Sequence, residues 1–277
     1  MTQPASHSVA EDAARWYGEQ SVAPLNDRGN FATRVWGRLR GTVETVRNES
    51  GIKERIRNLQ KEWLGDLAGK RVLDLGCGGG NSISLYMAEK AADYVGFDLS
   101  PQAIAELRQR LDKHGFKSAT TVAGDFLAES FPYGRFDVVY ANSIIHHFRP
   151  LSRILEPLYQ RTNPGARVVI MDPLQTSLVV RTIRGCFHRF RSDAEWNWPF
   201  TRASLKEIEE HFEIERVRGF FGRSKWAVPF AMLPFGTGLG VSLAARLDQS
   251  DERQASELGR RFWSCNSAVM AWRRRGD

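Results

Sequence analysis

Between Arg71 and Asp172 short apolar runs alternate with windows of helical period, and that alternation limits the folds open to the chain. The runs are RVLDLG (71–76), DYVGFDL (93–99), SATTVAGD (118–125), FDVVYANS (136–143) and ARVVIMD (166–172). Helical windows cover 81–90, 101–113 and 150–162. Ser100 reads as a helix cap with Pro101 at the first helical position, and Asn163-Pro164-Gly165 as a helix stop. Strands joined by helical crossovers pair in parallel and are covered on both faces. A helix over 201–211 and strands over 213–221 and 266–272 follow. The expectation is an α/β, Rossmann-like fold with a seven-stranded, mostly parallel sheet and helices on both faces.

The flanking segments read differently. Residues 8–20 and 31–64 look helical; Phe31, Val35, Leu39, Val43 and Val46 form a stripe that resumes after Ser50-Gly51 with Ile52, Ile56, Leu59 and Trp63. Residues 1–66 are therefore expected as an N-terminal helical extension on a domain of residues 67–277. Residues 173–200 have no period and read as a lid insertion after strand five. Residues 226–245 carry no charge. That length would suit a membrane span, but Pro229, Pro234 and three glycines interrupt it. Within a cover segment of 225–258, the stretch suits a lid over an apolar pocket, a homodimer contact or a peripheral membrane contact.

Composition narrows the setting. The 277 residues carry a formal charge of +7, with eight lysines against 31 arginines. The charge is scattered, which fits a solvated surface better than a nucleic-acid groove. Cys77, Cys186 and Cys265 are too far apart in sequence for a CxxC metal or redox motif. The first residues, MTQPASHSVAEDAARW, lack a basic-then-apolar leader, so a cytoplasmic setting is expected.

The first strand ends in Gly76-Cys77-Gly78-Gly79-Gly80. Glycines there keep Cβ atoms out of a ligand's path, and open parallel sheets bind ligands beyond their carboxyl edge. The spacing is G-x-G-x-G, with Asn81 where a dinucleotide fingerprint wants its third glycine. Asp74 precedes the turn by two residues and suits an ammonium group. Asp98 ends strand two, 22 residues after Gly76, where a carboxylate can accept from both hydroxyls of a ribose. That ribose alone does not separate NAD from other nucleosides.

The string VLDLGCGGG closely resembles motif I of the class I S-adenosylmethionine-dependent methyltransferases, in their small-molecule branch. The resemblance covers about residues 68–172. It implies S-adenosylmethionine as cofactor, held by Asp74, Gly76, Cys77, Gly78, Asp98 and Leu99. It further implies that Asp125, after Gly124, reaches the adenine amino group and that Phe126 covers the ring. Asn142, ending strand four, would lie beside the methionine moiety. A metal-free mechanism is expected.

The acceptor half is marked by ANSIIHHFRP after strand four. His146 and His147 are candidate general bases, with His146 favoured, and Asp172 after strand five is the acidic partner. This resembles small-molecule O-methyltransferases that join a histidine after strand four to an acidic residue after strand five. The plain alternatives are a packing or capping role for the histidines and an arginine pair for Asp172, for example with Arg202. Trp196, Trp198 and His188, with Trp16 and Tyr17 from the N-terminal segment, are expected to line a large apolar acceptor pocket.

O-methylation of a small apolar, aromatic or natural-product acceptor is the leading reading. C-methylation of a quinone or prenyl chain needs the same cavity. RNA methylation is the third reading, but [DN]PP[YF] is absent after strand four, where Asn142-Ser143-Ile144-Ile145 stand. A cofactor-binding protein without catalysis is a fourth; the intact Asp74, Asp98 and Asp125 set argues against it.

Overall fold

The computed structural model describes residues 31–129, 131–175, 182 and 198–276. Two helices come first, α1 (Phe31–Glu49) and α2 (Ile52–Leu64). Gly51, at φ 76°, separates them and keeps the apolar stripe running across the break. The alternating region then gives β1 (Arg71–Leu75), α3 (Ser82–Lys90), β2 (Asp93–Asp98), α4 (Pro101–Lys113), β3 (Thr120–Ala123) and β4 (Phe136–Asn142). It continues with α5 (Ser152–Gln160), β5 (Thr162–Pro173), α6 (Arg202–Glu209) and β6 (Phe212–Phe220). A short α7 (Val228–Ala231), α8 (Thr237–Gln254) and β7 (Ser267–Arg274) complete the described elements.

Local signals account for the helix starts. Asn81 caps α3, its side chain accepting from Ile83 and Ser84 N–H while Ser84 Oγ accepts from Asn81 N–H. Ser100 accepts from Ala103 N–H ahead of Pro101, and Thr201 caps α6 reciprocally with Ser204. Each cap is worth about 1 kcal/mol.

The seven strands form one sheet in the order β3-β2-β1-β4-β5-β7-β6. The first five are parallel; β7 runs antiparallel between β5 and β6. The order reverses between β1 and β4, which makes the space beyond their carboxyl ends the binding crevice of such a sheet. One apolar layer, under α5 and α6, is built on Val139, Ile170, Phe212 and Trp272. The other packs Val72, Tyr140 and Val169 against Ile56 of α2, Met87 of α3 and Leu107 of α4. α5 is shorter than its sequence window and β5 longer: the Asn163-Pro164-Gly165 stop lies inside β5, where Thr162 pairs with Phe136 across an irregular register.

Candidate active site

The glycine turn is tied to β2. Gly76 and Cys77 N–H both donate to Phe97 C=O, at 2.7 and 3.2 Å. Asp98 clamps the same turn from the next strand end. Its Oδ2 accepts from Gly78 N–H (2.8 Å) and its Oδ1 from Ser100 N–H (2.9 Å). The glycines serve different ends. Gly76 is left-handed (φ 66°), and a Cβ there would lie 2.2 Å from the Ile144 side chain. Gly78 is left-handed too (φ 52°), but a Cβ there would meet nothing among the described residues within 4 Å. The backbone at Gly78 therefore faces open space beside a carboxylate, and Leu99 lies half-buried next to it.

Asp74 points down from β1 and is buried. Its Oδ2 accepts from the Tyr94 hydroxyl at 2.8 Å. Burial pushes its carboxyl up to about 6, against bonds from Ser84 and Tyr94 that pull it down and the nearby Asp98 that adds to the rise. A cation brought to this carboxylate would be welcomed electrostatically. Cys77 is buried and its thiol is pushed up by burial, so it is a packing residue and no nucleophile.

At the end of β3, Gly124 N–H donates to Asp98 C=O (2.9 Å). Asp125 is exposed, and its Oδ1 accepts from Leu127 N–H at 2.8 Å. Phe126 turns inward. It is buried against Phe97 and Phe131, and the Arg161 guanidinium lies over its ring at 4.6 Å. The half-buried residue beside it is Leu127.

The strand-four and strand-five residues meet. β4 and β5 are register neighbours, with Asn142 opposite Met171, so Asp172 stands one step beyond. Ser143, at φ 61°, turns the chain out of β4, and a 3₁₀ turn over Ile145–His147 carries the histidines back over the sheet edge. His146 Nδ1 lies 2.5 Å from Asp172 Oδ1, which also accepts from His146 N–H at 3.2 Å. Both side chains are buried. Burial pushes the Asp172 carboxyl above the ordinary carboxylate range, while the bonds from His146 pull it back. The His147 ring lies against that of His146, tilted by 39° with ring centres 3.9 Å apart. Trp198 is half-buried and its N–H donates to His146 C=O at 3.0 Å.

Three buried acceptors along this edge have no hydrogen-bond partner among the described residues: Asn142 Oδ1, Asp172 Oδ2 and Asn266 Oδ1. Asn266 escaped the sequence reading. It precedes β7 and reaches the edge because Leu174 N–H donates to its C=O at 3.0 Å. Nothing in the sequence signals that β7 lies beside β5. Trp16, Tyr17, His188 and Trp196 lie outside the described residues. A cavity of about 440 Å³ lined by Glu156, Tyr159 and His211 lies at the opposite, amino edge of the sheet, away from these groups.

An open, Cβ-free amide turn, a carboxylate at the next strand tip, a desolvated carboxylate beneath and orphaned acceptors beyond suit a ligand bearing hydroxyl and ammonium donors. These residues fit S-adenosylmethionine.

The comparisons with known proteins agree. An uncharacterized methyltransferase of Synechocystis sp. is 34% identical over 126 residues, covering 44% of this chain and 56% of that protein. A ubiquinone biosynthesis O-methyltransferase of Pseudomonas entomophila is 35% identical over 118 residues, covering 41% and 50%. The chain thus spans about half the length of the curated relatives it matches. Among solved structures, a geranyl diphosphate C-methyltransferase from Streptomyces coelicolor, in complex with Mg2+, geranyl diphosphate and S-adenosyl-L-homocysteine, superposes with a TM-score of 0.61. It covers 98% of this chain and 100% of its own at 15% identity, a likeness of fold. No described helix is long and apolar enough to cross a membrane. The family model described as a methyltransferase domain matches residues 47–216, more than half of the sequence, and the chain belongs to that S-adenosylmethionine-dependent family.

Proposed function

We propose that the chain moves the methyl group of S-adenosylmethionine to a hydroxyl of a small, apolar or aromatic acceptor, with His146 as general base. The observation that carries this reading is the buried 2.5 Å contact between His146 Nδ1 and Asp172 Oδ1 at the sheet edge.

When bound, the cofactor supplies a methyl group on a sulfonium, an electrophile that needs mainly alignment. Asp98 offers its remaining lone pairs to the ribose hydroxyls, and the Gly76–Gly80 turn leaves room for the sugar and amino-acid part. Asp74 holds the ammonium end electrostatically. Asp125, exposed at the tip of β3, accepts from the adenine amino group, with Leu127 beside Phe126 against the ring. Asn142 Oδ1 faces the methionine moiety.

Asp172 accepts from His146 Nδ1–H and thereby fixes the tautomer that leaves the basic lone pair on Nε2. With S-adenosylmethionine bound, Nε2 would take the acceptor's hydroxyl proton, and the cofactor would supply the methyl carbon to the freed oxygen, its sulfur keeping the electron pair of the carbon–sulfur bond. The imidazolium so formed is stabilised by Asp172. His147 supports the ring of His146 by the tilted ring contact. Trp16, Tyr17, His188, Trp196 and Trp198 are assigned to the acceptor pocket.

C-methylation of a prenyl or quinone acceptor is the second reading; it uses the same base to take a proton from carbon. The two part in one experiment. The protein is given labelled S-adenosylmethionine with a panel of phenols, quinols and prenyl diphosphates, and the product is analysed for the position of the label. Label on oxygen supports the first reading and label on carbon the second. Saturable uptake into RNA that survives raised salt would overturn both.

A further inference from the structure

We propose that residues 226–239, together with α1, form a docking face for an anionic lipid surface. The proposal rests on exposure and charge and is independent of the methyl-transfer reading.

The uncharged stretch does not fold inward as a unit. Ala227, Val228 and Ala231 are buried and anchor it in the apolar layer. Trp226, Phe230, Leu233, Phe235 and Leu239 point outward, with exposures from 44% to 105%. Five large apolar side chains within fourteen residues exceed the scatter of single exposed residues on an ordinary surface. Phe235 is the most exposed of the five. It is fully exposed and lies in the turn between α7 and α8 at φ 59°, a left-handed angle that bulky residues avoid. A phenylalanine held at that angle and fully exposed is available to a surface outside its own chain.

The mount is rigid. Asp251 of α8 accepts from Arg223 N–H and from Ser224 N–H and Oγ–H, at 2.9 to 3.1 Å, just before the stretch begins. Asp248 of the same helix is paired with Arg55 of α2 at 2.6 Å. The start of the stretch is therefore tied to α8, which is in turn paired with α2.

Charge selects the occupant. α1 packs against both α7 and α8. Its residues 34–43 and residues 223–247 contain no Asp or Glu. They contain Arg34, Arg38, Arg40, Arg223 and Arg246, all exposed. Exposed apolar side chains and exposed arginines on segments packed together, with the flanking Glu44 and Asp248 paired to Lys53 and Arg55, match a bilayer whose apolar interior lies under anionic headgroups. A second copy of the same face would set these arginines against arginines.

The test is flotation of the full chain with vesicles of phosphatidylcholine alone and with about one part in three phosphatidylglycerol. The protein should float with the anionic vesicles and lose much of that binding at raised salt. Phe235→Gly should cut vesicle binding at least about tenfold while raising or preserving the thermal midpoint, since glycine adopts the left-handed angle freely. Arg34→Gln/Arg38→Gln/Arg40→Gln should remove most of the preference for anionic lipid. S-adenosylhomocysteine binding should be unchanged in both variants, which separates loss of docking from misfolding. Failure of the unaltered protein to float, or flotation of Phe235→Gly equal to it, would overturn the proposal. So would a dimer in sedimentation that Phe235→Gly dissolves without any vesicle binding.

Discussion

The two halves of the carboxyl edge differ in how far their hydrogen bonding is complete. At the tips of β1, β2 and β3 the polar groups satisfy one another: Asp98 takes Gly78 and Ser100 N–H, and Asp125 takes Leu127 N–H. At the tips of β4, β5 and β7, Asn142 Oδ1, Asp172 Oδ2 and Asn266 Oδ1 are buried without a partner among the described residues. A buried unsatisfied acceptor costs about 1–3 kcal/mol, so the second half holds free energy that a donor-bearing molecule would recover. The first half is a pre-set frame; the second is chemically incomplete until something enters it.

That contrast can be broken most sharply at His146. His146→Ala and Asp172→Asn should lower kcat by roughly 10²–10⁴ while leaving the Kd for S-adenosylhomocysteine within about twofold. Equal loss of cofactor affinity would mean that the two halves are one unit. Asp98→Ala tests the opposite half. It releases two backbone amides and removes the acceptor assigned to the ribose, and calorimetry should show S-adenosylhomocysteine binding weaker by about 100-fold. Retained affinity would remove Asp98 from the cofactor site.

Asp74 sharpens the comparison through pH. Its folded carboxyl titrates near 6, above the ordinary carboxylate range, because it is buried. Between about pH 4 and 6 the unfolded chain therefore sheds this proton first, and stability falls as pH rises through that window before levelling. Asp74→Asn should lack this fall, so its thermal midpoint should gain on the parent protein between pH 4 and 6, by up to about 3 kcal/mol in stability. Saturating S-adenosylhomocysteine should flatten the parent's slope if its ammonium sits against Asp74. A slope that ligand leaves untouched would place the ammonium elsewhere.

The smallest effect separates two neighbouring glycines. Gly76→Ala meets both a left-handed backbone and Ile144, and should lower stability by about 1–3 kcal/mol. Gly78→Ala meets only the backbone term, about 1–2 kcal/mol, and its main loss should be in cofactor affinity because its Cβ enters open space. Thermal unfolding with and without S-adenosylhomocysteine distinguishes the two.

Much of this molecule is readable without coordinates, because its strong signals are local. Alternation and apolar runs mark all seven strands, caps at Ser100 and Thr201 start helices where expected, and the glycine turn marks the crevice. The pairing of His146 with Asp172 was implied by the resemblance, which joins a histidine after strand four to an acidic residue after strand five, and the two side chains do meet. Other expectations changed in contact with the fold. Asn163-Pro164-Gly165, a stop signal in sequence, is absorbed into β5 by its pairing with β4. Phe126, expected over a ligand ring, is drawn into an aromatic cluster with Phe97 and Phe131. The 226–245 stretch, expected partly as a cover, turns its largest side chains outward.

What the order of amino acids determined by itself is therefore local: periodicity, caps, turns and the types of chemical group at each strand end. Only the tertiary structure decided which strand ends are neighbours. It put β7 between β5 and β6, brought Asn266 against Leu174 at the end of β5, buried Asp74 against Tyr94 and left Phe235 exposed. The physical reason is that burial and unpaired hydrogen bonds are properties of groups brought together from distant positions, and no window of sequence contains them.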